Sequence, residues 1–225
     1  MLIRMLLATL AVSMFDIGNL SAGERSLRIA TFNVDATPPI GSPVAYAPTR
    51  KIEDPLSARG IVVFGDGKPV VLCAVDWIGI GNGGQDVWKE KLAQAAGTTA
   101  DRVTVHVLHQ HDGPRCDFSA EALLDERGLG SRNYDTVFLR DVVQRAAVAV
   151  GESVKSVRKV THIGVGKAKV KKVASNRRIL GSDGKVKIIR WSKSTNPEAI
   201  AAPEGVIDPF LRLVSFWDGD TPLAS

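Results

Sequence analysis

An α/β or α+β fold, with a mixed β-sheet core flanked by helices, is predicted for this chain by three observations. Apolar stretches of strand length recur from residue 27 to the end, two segments between them carry helical periodicity, and turn-forming Gly, Pro and Asp residues separate the stretches.

The chain opens with Arg4, an apolar run over residues 5–15 and the small residues Ser21 and Ala22. This order marks residues 1–22 as a signal peptide, so export to a periplasmic or extracellular space is expected. The run is short for a bilayer span, and no later segment offers the ~18 continuous apolar residues a membrane helix needs. No transmembrane span is therefore expected in the mature chain.

Residues 27–34 read as a strand. Asp35-Ala36-Thr37-Pro38-Pro39-Ile40-Gly41 reads as a rigid turn that Asp35 organises at Thr37-Pro38, leading into a loop through Pro43, Pro48 and Pro55. Residues 58–64, the turn Gly65-Asp66-Gly67-Lys68-Pro69 and residues 70–75 form a hairpin, with Asp76 directly at its end. Residues 85–96 read as a helix with Val87, Leu92 and Ala95 or Ala96 near one face, ending at Gly97. In residues 103–108 valines alternate with Thr104, His106 and Leu108, the period of a half-buried strand. A second helix covers residues 134–150 and closes at Gly151. Strands follow at residues 161–173, 186–191 and 211–217. Asp218-Gly219-Asp220 then turns the chain into a returning strand at Thr221-Pro222-Leu223-Ala224-Ser225. Because that strand breaks off with little room to pair, residues 27–225 are expected to be the incomplete N-terminal portion of a larger catalytic domain.

The 225 residues suffice for one sizeable core, and 44% hydrophobic with 24% charged residues is a globular balance. Cys73 lies in an apolar run and reads as a core thiol. Cys116 has no zinc spacing beside it, and a bridge between the two stays open. The net charge of +5 is uneven: residues 151–200 hold thirteen Lys or Arg against Glu152, Asp183 and Glu198. Lys167, Lys169 and Lys171 alternate as on the wet face of a strand. No aromatic residues interleave to stack bases, so no nucleic-acid partner is expected. Contact with an anionic surface through residues 155–193 is.

Chemistry concentrates in Leu108-His109-Gln110-His111-Asp112-Gly113-Pro114, where a strand meets a turn. Extended geometry would aim His109 and His111 the same way, so that they share a metal, or one binds it while the other handles protons. His106 would face away, into the core, and His162 reads as structural. Asp76 stands at a strand end, where α/β proteins place functional acids, but a capping role fits equally.

In order, Asp35-Ala36-Thr37-Pro38-Pro39-Ile40-Gly41, Leu56-Ser57-Ala58-Arg59-Gly60, Val75-Asp76-Trp77-Ile78-Gly79, His109-Gln110-His111-Asp112-Gly113-Pro114 and Asn176-Arg177-Arg178 resemble the neutral/alkaline ceramidase family, from about residue 29 onward. The family pattern has Thr and Ser where this chain has Gln110 and Asp112. The resemblance implies a zinc-dependent hydrolase of an amide bond in an N-acyl sphingoid lipid or related amide. By it His109 is a zinc ligand, and His111 and Arg177 are catalytic. One Zn2+ ion is the cofactor it implies, while Asp76 and Asp112, read from their places beside the histidines, are candidate supporting acids. The family's remaining ligands, a His in a His-Pro motif, a Glu and a Tyr, have no counterparts here and are expected beyond residue 225. The alternatives are a zinc hydrolase of another amide or ester, and a secreted non-catalytic binding protein for an anionic partner.

Overall fold

The computed structural model describes residues 26–130, 133–172 and 174–225, so the signal-peptide reading of residues 1–22 lies outside the described residues. In chain order, β1 (Arg28–Asp35), β2 (Ser57–Phe64), β3 (Val70–Val75) and β4 (Gly79–Ile80) precede helix α1 (Asn82–Ala96). Next come β5 (Val103–Val107), β6 (Arg115–Cys116), α2 (Phe118–Glu126), α3 (Thr136–Ser153) and β7 (Arg158–Lys159). The last part holds β8 (His162–Lys169), β9 (Arg178–Leu180), β10 (Val186–Ile189), α4 (Pro197–Ala201), β11 (Phe210–Asp218) and β12 (Thr221–Ala224).

The main sheet has the order β5-β3-β2-β1-β7. β1, β2 and β3 pair antiparallel, as the hairpin reading requires, while β5 joins β3 in parallel after the α1 crossover. The sheet is therefore mixed, as expected. Alternate residues Ala30, Phe32, Val62, Val71, Cys73 and Val75 point to one face and form the core with Trp88 and Leu92 of α1 and Leu139, Val142, Ala146 and Val150 of α3. α1 has neither a side-chain cap nor an acidic residue in its first turn. Packing holds it instead: each fully buried Leu or Val contributes about 1.5–3 kcal/mol, more than a cap supplies.

Several boundaries differ from the sequence reading. α1 begins three residues early, and Trp88 rather than Val87 is the centre of its buried face. Gly97 does end it, in a left-handed conformation at φ 68°. α3 runs through Gly151 to Ser153, where the Ser153 hydroxyl donates to the Val150 carbonyl at 2.9 Å. The cost of one glycine, about 1 kcal/mol, is smaller than the gain from burying Val150 in that turn. α2 and the two-residue strands β4 and β6 are additions to the sequence reading, each too short to show a period. His106 corrects its expected place: it is exposed, because the helices cover one face of the sheet and His106 lies on the other. The returning strand does form, pairing β12 with β11, and β11 pairs with β8 along its length. No described helix is long and apolar enough to cross a membrane.

Both cysteines are free and buried, and burial pushes both thiols up to about 12. Neither is a thiolate near pH 8, so iodoacetamide is expected to leave both unmodified in the native protein and to label both after unfolding. Rapid native labelling of Cys116 would contradict this packing.

Candidate functional site

The site is built where β3 and β5 end side by side. After Val75 the chain continues through Asp76, Trp77 and Ile78 into β4, and after Val107 the turn 108–114 lies along this segment. Backbone hydrogen bonds lace the two together: Leu108 N–H to Val75 O at 3.3 Å, His109 N–H to Trp77 O at 3.2 Å, and Ile78 N–H to Pro114 O at 3.3 Å. Trp77 is fully buried, and its indole N–H donates to the Ala36 carbonyl at 3.0 Å, which ties the segment to the end of β1.

The histidines do not sit on an extended strand as predicted. β5 ends at Val107, and His109 takes a left-handed conformation at φ 56°, uncommon for residues other than Gly but adopted by His, like Asn and Asp, more often than by most. They still meet: the two rings lie 5.3 Å apart, centroid to centroid, at 78°. His109 Nδ1 is 2.8 Å from the Ile78 carbonyl oxygen. A carbonyl only accepts, so Nδ1 carries the proton and the neutral ring keeps its lone pair on Nε2. This is the arrangement that orients a metal-binding imidazole.

Gln110 is the brace of the turn. Its amide N–H2 donates to the Asp76 carbonyl, and its Oε1 accepts from Asp112 N–H at 2.7 Å. Asp76 serves the same structure. One carboxylate oxygen accepts from Ser57 N–H and the Ser57 hydroxyl, both at 2.8 Å, and meets Arg59 at 3.3 Å. The capping reading of Asp76 is thus the one the contacts describe. Asp112 is exposed on the outer side of the turn, where it lines a hollow of about 620 Å³ with Thr37, Gln110 and the loop 47–54. Asp35 accepts from Thr37 N–H at 2.8 Å, and its hydrogen bonds from Thr37 hold its carboxyl below the usual range.

Sequence reasoning missed Tyr46 and Tyr134. The loop 41–49 closes on itself through Gly41 N–H to Thr49 O at 2.9 Å and Val44 N–H to Ala47 O at 2.9 Å. The buried Ser42 hydroxyl pins it by donating to Asp135, the residue that caps α3. At its tip Tyr46 stands edge-on to His111, with ring centroids 5.3 Å apart. Tyr46, Ile78, His109, Cys116, Asp117 and Tyr134 help to line a pocket of about 380 Å³. Nothing near Tyr46 in the sequence signals this, because the partner residues are some 65 and 90 positions away.

Arg177 is exposed; its contacts are the Arg190 carbonyl at 3.4 Å and the Trp191 ring at 5.9 Å, both outside the histidine turn. Among the described residues no group of three or more His, Cys, Asp or Glu side chains is placed to hold a metal ion.

A solved structure described as a ceramidase complexed with C2 superposes on this fold with a TM-score of 0.58 at 18% identity, covering 88% of this chain and 30% of that one. The neutral ceramidase from Pseudomonas aeruginosa gives 0.57 at 17% identity, with the same coverage. The chain has a ceramidase fold. It spans less than a third of the length of those ceramidases. No family model matches the sequence, and no curated protein matches it. The likeness is one of fold, and it extends over most of the arrangement of sheets and helices.

Proposed function

We infer that this polypeptide carries the His-x-His part of the active site of a zinc-dependent hydrolase that cleaves the amide of an N-acyl sphingoid lipid or a related amide. The observation that supports this reading best is His109. Its backbone is held in a left-handed conformation and its Nδ1–H is given to Ile78, so Nε2 is left as a donor atom for a metal. Zinc, when bound, supplies Lewis acidity that polarises a carbonyl and makes water a stronger acid. Its other ligands would come from outside the described residues.

The chain's own groups have separable tasks in this reading. His109 contributes Nε2. His111, set edge-on to both His109 and Tyr46, two residues that line the pocket, is the group to exchange a proton with a substrate. Tyr46 and Tyr134 give the pocket an aromatic wall. The fixed charge of Arg177 suits an oxyanion, but that role requires the β9–β10 ribbon to bring it to the pocket. Export of the mature protein fits a lipid substrate met outside the cytoplasm.

The test is zinc content by mass spectrometry, together with hydrolysis of a fluorescent ceramide, on the longest available gene product and its His109→Ala variant. Wild type is expected to retain zinc, and His109→Ala to lose about tenfold or more in zinc affinity and its turnover with it. Equal zinc and equal turnover in the variant would overturn the assignment. Absence of zinc and turnover from both would favour the non-catalytic binding protein.

A further inference from the structure

We propose that Gln110 is a positioning residue that sets the place of His111, while His109 is set by other contacts. The task of His111 rests on the hydrolase reading; its placement rests on the geometry of the turn.

The two histidines are held in different ways. His109 has ties of its own: its N–H donates to the Trp77 carbonyl at 3.2 Å, and its ring Nδ1 to the Ile78 carbonyl at 2.8 Å. The next main-chain tie of the turn is at Pro114, whose carbonyl accepts from Ile78 N–H at 3.3 Å. Between these ties, among the described residues, no main-chain group of residues 110–113 bonds to another main-chain group, and the His111 ring makes no hydrogen bond. Its ring neighbours are His109 and Tyr46, each with centroids 5.3 Å away and edge-on. Such a contact contributes about 0.5–1.5 kcal/mol, whereas fixing the backbone of one residue costs about 1–2 kcal/mol and its rotamers more. The rings orient the imidazole, and something else must hold the loop.

The Gln110 side chain spans that gap. Its Nε2 donates to the Asp76 carbonyl at 2.5 Å and its Oε1 accepts from Asp112 N–H at 2.7 Å, closing a ring of bonds that contains the His111 backbone. A carbonyl only accepts and an N–H only donates, so these partners leave the amide one orientation. The amide lies against Gly113, where a Cβ would come within 2.6 Å of Nε2. Asp76 is in turn fixed to β2 through Ser57 N–H and the Ser57 hydroxyl, both at 2.8 Å. The main sheet thus reaches His111 through Asp76 and Gln110. Loss of that path should misplace the proton-exchanging ring and leave Nε2 of His109 where it is.

The experiment uses the longest available gene product with two substitutions. Gln110→Met keeps the length and loses both hydrogen bonds; Gln110→Glu keeps the acceptor and loses the donor. In Gln110→Met, kcat for a fluorescent ceramide is expected to fall about tenfold to a hundredfold, with zinc affinity and KM within about threefold of wild type. In a His111→Ala background the same substitution should cost less than about twofold more, because its effect passes through His111. Histidine-selective NMR reads the geometry directly. The ring-current shift of the His111 ring protons beside Tyr46 and His109 should collapse in Gln110→Met, and the Nδ1–H tautomer of His109 should persist. Gln110→Glu should repeat the lost shift, and replaces Gln110→Met if circular dichroism shows that one unfolded. An unchanged His111 shift, zinc lost in step with kcat, or a full further loss in the His111→Ala background would each overturn the proposal. Wild type without zinc and turnover would sink the hydrolase reading alone, and a His111 shift lost in Gln110→Met would still uphold the positioning.

Discussion

Replacing Gly60 with Ala is expected to destabilise the protein by about 3 kcal/mol, at the upper end of what overpacking costs. Gly60 is central in β2, paired with Phe32 on one side and Cys73 on the other. A Cβ placed there would lie 2.0 Å from the Leu72 carbonyl oxygen and 2.8 Å from the Phe32 ring. The ring could swing aside, but the carbonyl belongs to the neighbouring strand and cannot move without opening the ladder. Native domains are stable by roughly 5–15 kcal/mol, so this single methyl would remove a large fraction. Urea unfolding followed by the fluorescence of the buried Trp77 and Trp88 is the measurement. An unchanged midpoint would show that the Leu72 carbonyl does not lie against Gly60 as described.

Gly113→Ala is expected to act on the site more than on the fold. A Cβ there would meet the Gln110 amide at 2.6 Å, the Asp76 carbonyl at 2.8 Å and the Trp77 Cα at 2.9 Å. Two of these three are backbone, so the turn itself must lift away from the segment 76–78. That movement breaks the Gln110 brace and the bond from His109 Nδ1 to Ile78. The cost to stability is about 1–3 kcal/mol, yet the loss of imidazole order should be complete. Ring nitrogen NMR reads it directly. Wild-type His109 should show a single Nδ1–H tautomer, and the variant an average of both. A fixed tautomer in both proteins would mean that Ile78, and not the close-packed turn, sets the ring by itself.

Much of this architecture is legible one segment at a time. The hairpin of β2 and β3 follows from two apolar runs about a turn rich in Gly and Pro. The end of α1 at Gly97 and the β11–β12 turn at Asp218-Gly219-Asp220 follow from residues that tolerate left-handed backbone. His-x-His was visible for the same local reason, as two identical side chains beside a turn. The motif order further predicted a ceramidase likeness that the fold bears out.

The periodic segments, their turns and the histidine turn can be read along the chain, since each is encoded within a few neighbouring residues. The rest depends on which distant residues meet. His106 is wet because Val103 and Val105, with which it alternates, take the face that the helices cover. The histidine rings meet through a left-handed His109 and the Ile78 carbonyl, not through strand alternation. Tyr46 reaches His111 because Ser42 finds Asp135 ninety-three residues away. Such contacts depend on where the chain returns in space, and no local pattern of residues records that.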